Sequence, residues 1–197
     1  VRVFRGGPVP TYFGDTPLSV TDADWVFEGQ YSNSNLGQAL TTGDLNADGV
    51  LDLIVTAPEI ALPNTPVRSG AVAAFYGQEG ALPALEADWV AKGIESEGRA
   101  GTSVAVLDEG VAFMVSRDDT FGLDLGRPYW RTAAEGAMPQ GLEVPGIGAG
   151  DRFGASVVVA GDLGGNGYSD LAVGAPLEDT MALGTSAGVV QIFSGAA

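Results

Sequence analysis

The sequence predicts an all-β fold assembled from repeated four-stranded antiparallel units. Three observations point there: the composition, an internal repeat, and the run of short apolar segments inside that repeat. Of 197 residues, 45% are apolar and 17% charged, the balance of a chain that buries a substantial core. Thirty glycines and eleven prolines without a Gly-x-x period require frequent turns between short segments and leave little room for long helices.

The repeat is direct. Gly43-Asp44-Leu45-Asn46-Ala47-Asp48-Gly49-Val50-Leu51-Asp52-Leu53-Ile54-Val55-Thr56-Ala57-Pro58 returns 118 residues later as Gly161-Asp162-Leu163-Gly164-Gly165-Asn166-Gly167-Tyr168-Ser169-Asp170-Leu171-Ala172-Val173-Gly174-Ala175-Pro176. A weaker copy halfway between, Thr102 to Val115, keeps the apolar segments and loses the acidic loop. Gly70 to Gly77 returns as Gly188 to Gly195, Val1 to Gly6 matches both, and Ala23 to Gly29 returns as Ala87 to Gly93.

Each unit holds four β-prone segments punctuated by Gly, Pro and Asp, a spacing that fits the blades of a β-propeller. In chain order, two outer strands of a preceding blade are expected near 1–5 and 24–28. A full blade follows near 37–43, 51–56, 70–76 and 88–92, and a second near 102–107, 111–116, 128–133 and 141–144. Three inner strands of a third are expected near 154–160, 170–174 and 188–194. The first segment of a unit, as in Ser156-Val157-Val158-Val159-Ala160, is apolar on both faces and suits a buried innermost position, whereas the later segments alternate more. The domain reading is therefore 1–29 as outer strands of a preceding blade, 30–93 as a blade with a full calcium loop, 94–146 as a degenerate blade, and 147–197 as the inner three strands of a blade with a partial calcium loop. Both termini are expected to fall inside blades. Val1-Arg2-Val3-Phe4 resembles neither a signal n-region nor an initiator start, so a processed or excised chain is expected.

The composition also excludes functions. With no cysteine and no histidine, there is no disulfide framework, thiolate nucleophile, imidazole base or Ser-His triad. A net charge of −16, with Lys92 as the single lysine, argues against nucleic acid or anionic lipid and for hard cations. No apolar run reaches the roughly 18 residues of a spanning helix.

The acidic loops are the chemistry-bearing motif. Asp44, Asn46, Asp48 and Asp52 put side-chain oxygens at positions 1, 3, 5 and 9, with the Val50 carbonyl at position 7 and Gly49 for the turn. Ca2+ takes six to eight such oxygens. An EF-hand would close on a Glu at position 12, which here is Val55, so the ring is expected to close on Asp52 in a strand-loop-strand setting. The later loop offers Asp162, Asn166, Asp170 and the Tyr168 carbonyl, but Gly164 supplies no side-chain ligand at position 3, so weaker binding is expected. Carboxylates this close repel one another without a cation. At about tenfold excess over Kd, calcium contributes roughly 1.4 kcal/mol per site, enough to tune a blade without creating it. The alternative reading is a ligand-free Asp/Gly turn.

Phe153-Gly154 and Gly174-Ala175-Pro176 flank a calcium-type loop, and on these residues the chain resembles the FG-GAP repeats of integrin α-subunit heads and their bacterial relatives. Leu36-Gly37 and Thr56-Ala57-Pro58 stand at the same places in the first repeat, Ala100-Gly101 and Ser116-Arg117-Asp118 in the middle one. The resemblance implies a seven-bladed ring, about twice this chain, completed by further sequence, another chain or self-association. It implies a calcium-binding, extracellular or cell-surface module that binds a protein or surface ligand and is not an enzyme. Recognition is implied on the face opposite the metal loops, near 57–69, 117–127 and 174–187. Two alternatives stay open. One is a structural subunit of a surface fibre or multidomain assembly. The other is a carbohydrate-active or glycan-binding domain using Asp118, Asp119 and Asp124 as paired carboxylates, or Trp25 and Trp89 as a sugar platform, although the matching repeat positions of the tryptophans suit packing between blades.

Overall fold

A computed structural model describes residues 1–4, 19–94, 96–107, 110–115, 127–131, 150–180 and 185–195. Among them are twelve strands: β1 Arg2–Val3, β2 Trp25–Val26, β3 Leu40–Gly43, β4 Asp52–Ala57, β5 Ala71–Phe75, β6 Trp89–Lys92, β7 Ala100–Leu107, β8 Gly110–Val115, β9 Arg127–Arg131, β10 Ser156–Gly161, β11 Asp170–Ala175 and β12 Val189–Phe193. They form four sheets in which sequence neighbours pair: β1-β2, β3-β4-β5-β6, β7-β8-β9 and β10-β11-β12. Every pairing is antiparallel. The fold is all-β, as expected, with a single 3-10 turn at Val20–Asp22 and no α-helix among the described residues.

Each predicted strand outside 141–144 is found within a few residues of its expected place; 141–144 lies outside the described residues. The largest shift is at β3, expected from 37 and found from Leu40. All three repeats share a turn at the entry to the sheet. Gly37, Gly101 and Gly154 have φ of +87°, +88° and +85°, and two residues earlier Asn35, Arg99 and Arg152 have φ of +52°, +52° and +54°. The left-handed backbone at the glycines strongly favours a residue without Cβ. The N–H of Gly37 donates to the Thr56 carbonyl (2.8 Å) and that of Gly154 to the Gly174 carbonyl (3.0 Å), so the turn entering a sheet is tied to the end of that sheet's second strand. This coupling is why the two short motifs recur together.

The sheets stack face to face. Trp25, with Val1, Val3 and Phe27, packs on Val55 and Phe75, joining β1-β2 to one face of the second sheet. The opposite face, with Leu45, Ile54, Val72, Ala74, Trp89 and Ala91, packs on Ala100 and Val104 of β7. Ala105 of β7 then meets Phe153, Leu171, Val173 and Ala175 of the last sheet. The second strand β4 is consequently buried on both sides, which the mixed pattern of its sequence did not announce. The first strand β7 is buried as expected of an innermost segment. β3 and β10 depart from that expectation: no residue of either is fully buried, β3 alternating between exposed and half-buried and β10 being exposed at Ser156 and Val158 and half-buried elsewhere. No core cluster links β10-β11-β12 back to β1-β2, so the described strands form an open stack rather than a closed ring.

Candidate metal centre

The two acidic loops connect β3 to β4 and β10 to β11, and they adopt one design. Asp44 accepts N–H bonds from Asp48 (3.1 Å) and Gly49 (2.8 Å); Asp162 accepts them from Asn166 (2.9 Å) and Gly167 (2.8 Å). One turn later, the Val50 N–H donates to Asp48 Oδ1 (2.8 Å) and the Tyr168 N–H to Asn166 Oδ1 (3.0 Å). These contacts require the chain to double back sharply, which Gly49 (φ +84°) and Gly167 (φ +88°) permit. Ala47 holds a left-handed conformation (φ +59°) where the later loop has Gly165 (φ +71°).

The ninth residue anchors the loop to the sheet. Asp52 is fully buried; its Oδ2 accepts from the Leu45 N–H (2.7 Å) and its Oδ1 from the Gly77 N–H just beyond β5 (2.9 Å). Asp170 repeats both bonds, with Leu163 (2.9 Å) and Gly195 (3.0 Å). This bridge was not part of the sequence reading, in which Asp52 and Asp170 are ligands only. A signal was present, since Gly77 and Gly195 end the same recurring segment. A side chain at either glycine would strike a carbonyl, that of Leu51 or of Ser169.

The loops differ where their sequences differ. Asn46 Nδ2 donates to Asp48 Oδ2 (2.9 Å) and Asn46 Oδ1 accepts from the Asp48 N–H (3.1 Å), holding positions 3 and 5 together. In the later loop Gly164 instead donates its N–H to Asp170 Oδ2 (3.1 Å), and Asn166 Nδ2 reaches the Gly195 carbonyl (2.7 Å). The Gly167 N–H, the largest influence, holds the exposed Asp162 carboxyl below its ordinary range against the opposing effect of burial, with lesser help from the N–H groups of Asn166 and Gly165. Burial, followed by the charges of Asp52 and Asp88, raises the Tyr76 phenol, a sign of negative potential at the base of the first loop.

The donor set is all oxygen, which suits a hard cation. Its carboxylates are engaged by loop N–H groups, and among the described residues no three acidic side chains gather as they would around one ion. The structure therefore brings the predicted residues into two equivalent loops closed by hydrogen bonds. Asp118, Asp119 and Asp124 lie outside the described residues. Trp25 and Trp89 are buried in the cores between sheets, with Trp25 Nε1 donating to the Pro83 carbonyl (2.9 Å), so neither offers a sugar platform.

The family model described as FG-GAP repeat matches residues 36–75 and 153–193, the two segments that contain these loops, their entry turns and the first three strands of each sheet. The chain carries FG-GAP repeats. Integrin alpha-5 of Xenopus laevis is 30% identical over 189 residues, covering 86% of this chain and 18% of that protein. Integrin alpha-PS5 of Drosophila melanogaster is 28% identical over 187 residues, again 86% of this chain and 18% of the relative. Phosphatidylinositol-glycan-specific phospholipase D of Bos taurus is 40% identical over 81 residues, 38% of this chain and 10% of that enzyme. The chain thus spans between a tenth and a fifth of the curated relatives it matches. Among the described residues no helix is long and apolar enough to cross a membrane. The sheets are those of an FG-GAP propeller-blade arrangement.

Proposed function

We propose that this chain is a calcium-binding propeller module that acts at the cell surface or outside the cell by binding a protein or surface ligand. The observation that carries the reading is the duplicated loop, in which oxygen-bearing side chains at the same positions close on a buried strand aspartate. Asp44, Asn46, Asp48, the Val50 carbonyl and Asp52 would hold Ca2+ in the first FG-GAP repeat. Asp162, Asn166, the Tyr168 carbonyl and Asp170 would hold it, less tightly, in the last. Bound calcium supplies countercharge to a chain of net charge −16 and braces the link between the first, second and third strands of a sheet. Weak sites of this kind fill where calcium is abundant, which fits an extracellular setting, as does the similarity to integrin α subunits.

The loops at the opposite edge, that near 57–69 among them, are the proposed recognition surface. Glu59 there pairs with Arg68 (3.5 Å) and Arg99 (3.1 Å), and Arg68 with Glu97 (3.3 Å), a charged cluster spanning two sheets. Enzymatic chemistry is not carried over from the phospholipase, of which the chain matches a tenth. A second reading, a structural subunit of a surface fibre or multidomain assembly, is favoured by the uncovered face of β10-β11-β12.

Calorimetric titration with calcium, paired with thermal melts, tests the proposal. Wild type should show two sites of unequal affinity and a melt that calcium raises. Asp48→Ala should lose the tighter site and most of that rise. Absence of heat together with unchanged melts would reduce both loops to hydrogen-bonded turns.

A further inference from the structure

The chain has five asparagines, at 33, 35, 46, 64 and 166, and only Asn166 is followed by glycine. An asparagine amide is lost from within when the next backbone nitrogen attacks the side-chain Cγ. A Cβ on that next residue obstructs the approach, and glycine has none. Asn46, in the first loop, is as exposed as Asn166 but is followed by Ala47.

The last loop also holds the groups such an attack uses. Asn166 and Gly167 are both exposed to water, and a Cβ placed on Gly167 would meet nothing within 4 Å. The Gly167 N–H donates to Asp162 Oδ2 (2.8 Å), a carboxylate positioned to accept the proton as the nitrogen attacks. The Tyr168 N–H donates to Asn166 Oδ1 (3.0 Å), the oxygen that gathers negative charge when Cγ becomes tetrahedral.

The first loop shows what the product would be. Asp48-Gly49 stands where the last loop has Asn166-Gly167, and the bonds correspond: Gly49 N–H to Asp44 Oδ2 (2.8 Å) and Val50 N–H to Asp48 Oδ1 (2.8 Å). A carboxylate at position 166 is therefore compatible with this loop design. It gives up the Nδ2 bond to the Gly195 carbonyl (2.7 Å) and leaves an oxygen without that partner, free for a cation.

We propose that Asn166-Gly167 is a covalent modification site, at which cyclisation and hydrolysis turn the Asn166 amide into a carboxylate and supply the acid that the weaker loop lacks at its fifth position. The Gly167 nitrogen gives its proton to Asp162, bonds to Asn166 Cγ and expels Nδ2, which takes up a proton in exchange and leaves as ammonia. The cyclic imide then adds one water. Opening at Cγ gives aspartate on an unaltered backbone; opening at the backbone carbonyl of residue 166 gives isoaspartate. The conversion is independent of calcium, and its consequence for the loop rests on the calcium reading.

Wild-type protein aged in mildly alkaline, calcium-free buffer tests the site, with each asparagine followed by peptide mass mapping and the released ammonia assayed. Asn166 should convert about tenfold or more faster than Asn46, and Asp162→Asn, with its β signal intact, should slow the conversion about tenfold. Asn166→Asp supplies the product without ageing, and by calorimetry its last loop should bind calcium about threefold or more tighter than that of unaged wild type. Conversion of Asn166 no faster than that of Asn46, or undiminished in folded Asp162→Asn, would overturn the proposal. So would calcium affinity in Asn166→Asp equal to or below that of a wild type that binds. If neither protein takes up calcium while Asn166 still converts, the modification site stands and the calcium reading fails.

Discussion

Asp52 and Asp170 carry the heaviest duties of any single residues in the loops. Asp52 takes one N–H and Asp170 two from the loop, and each takes one more from the glycine two residues past the third strand, so replacing Asp52 with alanine strands two N–H donors, one of them buried. At about 1–3 kcal/mol for each orphaned group, Asp52→Ala should destabilise the chain by about 2–5 kcal/mol even with calcium chelated. That corresponds to a melting temperature lower by roughly 5–15 °C, read in a thermal melt with chelator present. Asp48, exposed and bonded only within its own loop, should cost about 1 kcal/mol or less in the same buffer. Asp162 makes a different prediction. Its folded-state pKa lies below the ordinary 3.8, so its contribution to stability is complete above that value and is lost as pH falls through the lowered pKa. A carboxyl-carbon NMR titration in calcium-free buffer should find Asp162 titrating below 3.8; a midpoint at or above that value would contradict the N–H bonds from Gly167 and Asn166.

Among the elements, the entry turns and the second strands do most to define a sheet. Gly101 combines a left-handed φ of +88° with close approach of β7 to the second sheet, where a Cβ would lie 3.0 Å from Thr56 Cβ and from Val72 Cγ2. Gly101→Ala meets both obstacles and should cost about 1–3 kcal/mol, measured as a fall in the urea midpoint with an unchanged slope. The strands and loops were legible in the sequence because their signals are local and repeated: apolar segments, Gly49 and Gly167 at the turns, and carboxylates at fixed spacing. What the sequence did not reveal is non-local. The bridge from Asp52 to Gly77 spans 25 residues and uses a backbone N–H, which no side-chain spacing encodes. β4 reads as a half-buried strand yet is covered on both sides, because its environment is set by neighbouring sheets rather than by its own alternation.

At the scale of the whole molecule, burial runs between sheets rather than within one central core. The two inner sheets each lend one face to the sheet before and the other to the sheet after, with side chains such as Ile54 and Val72 each contributing about 1.5–3 kcal/mol when fully covered. This arrangement explains how one sequence repeat can be core in the second sheet and exposed surface in the last. It also explains why the acidic loops matter beyond their own turns: they line one edge of the stack and tie the strands that bury those faces. The central claim, that two equivalent hairpins are calcium centres, is tested most directly by anomalous diffraction from crystals grown with Ca2+. The account predicts anomalous density at the Asp44–Asp52 loop and a weaker peak at the Asp162–Asp170 loop. A well-ordered map with no peak at either loop would contradict it.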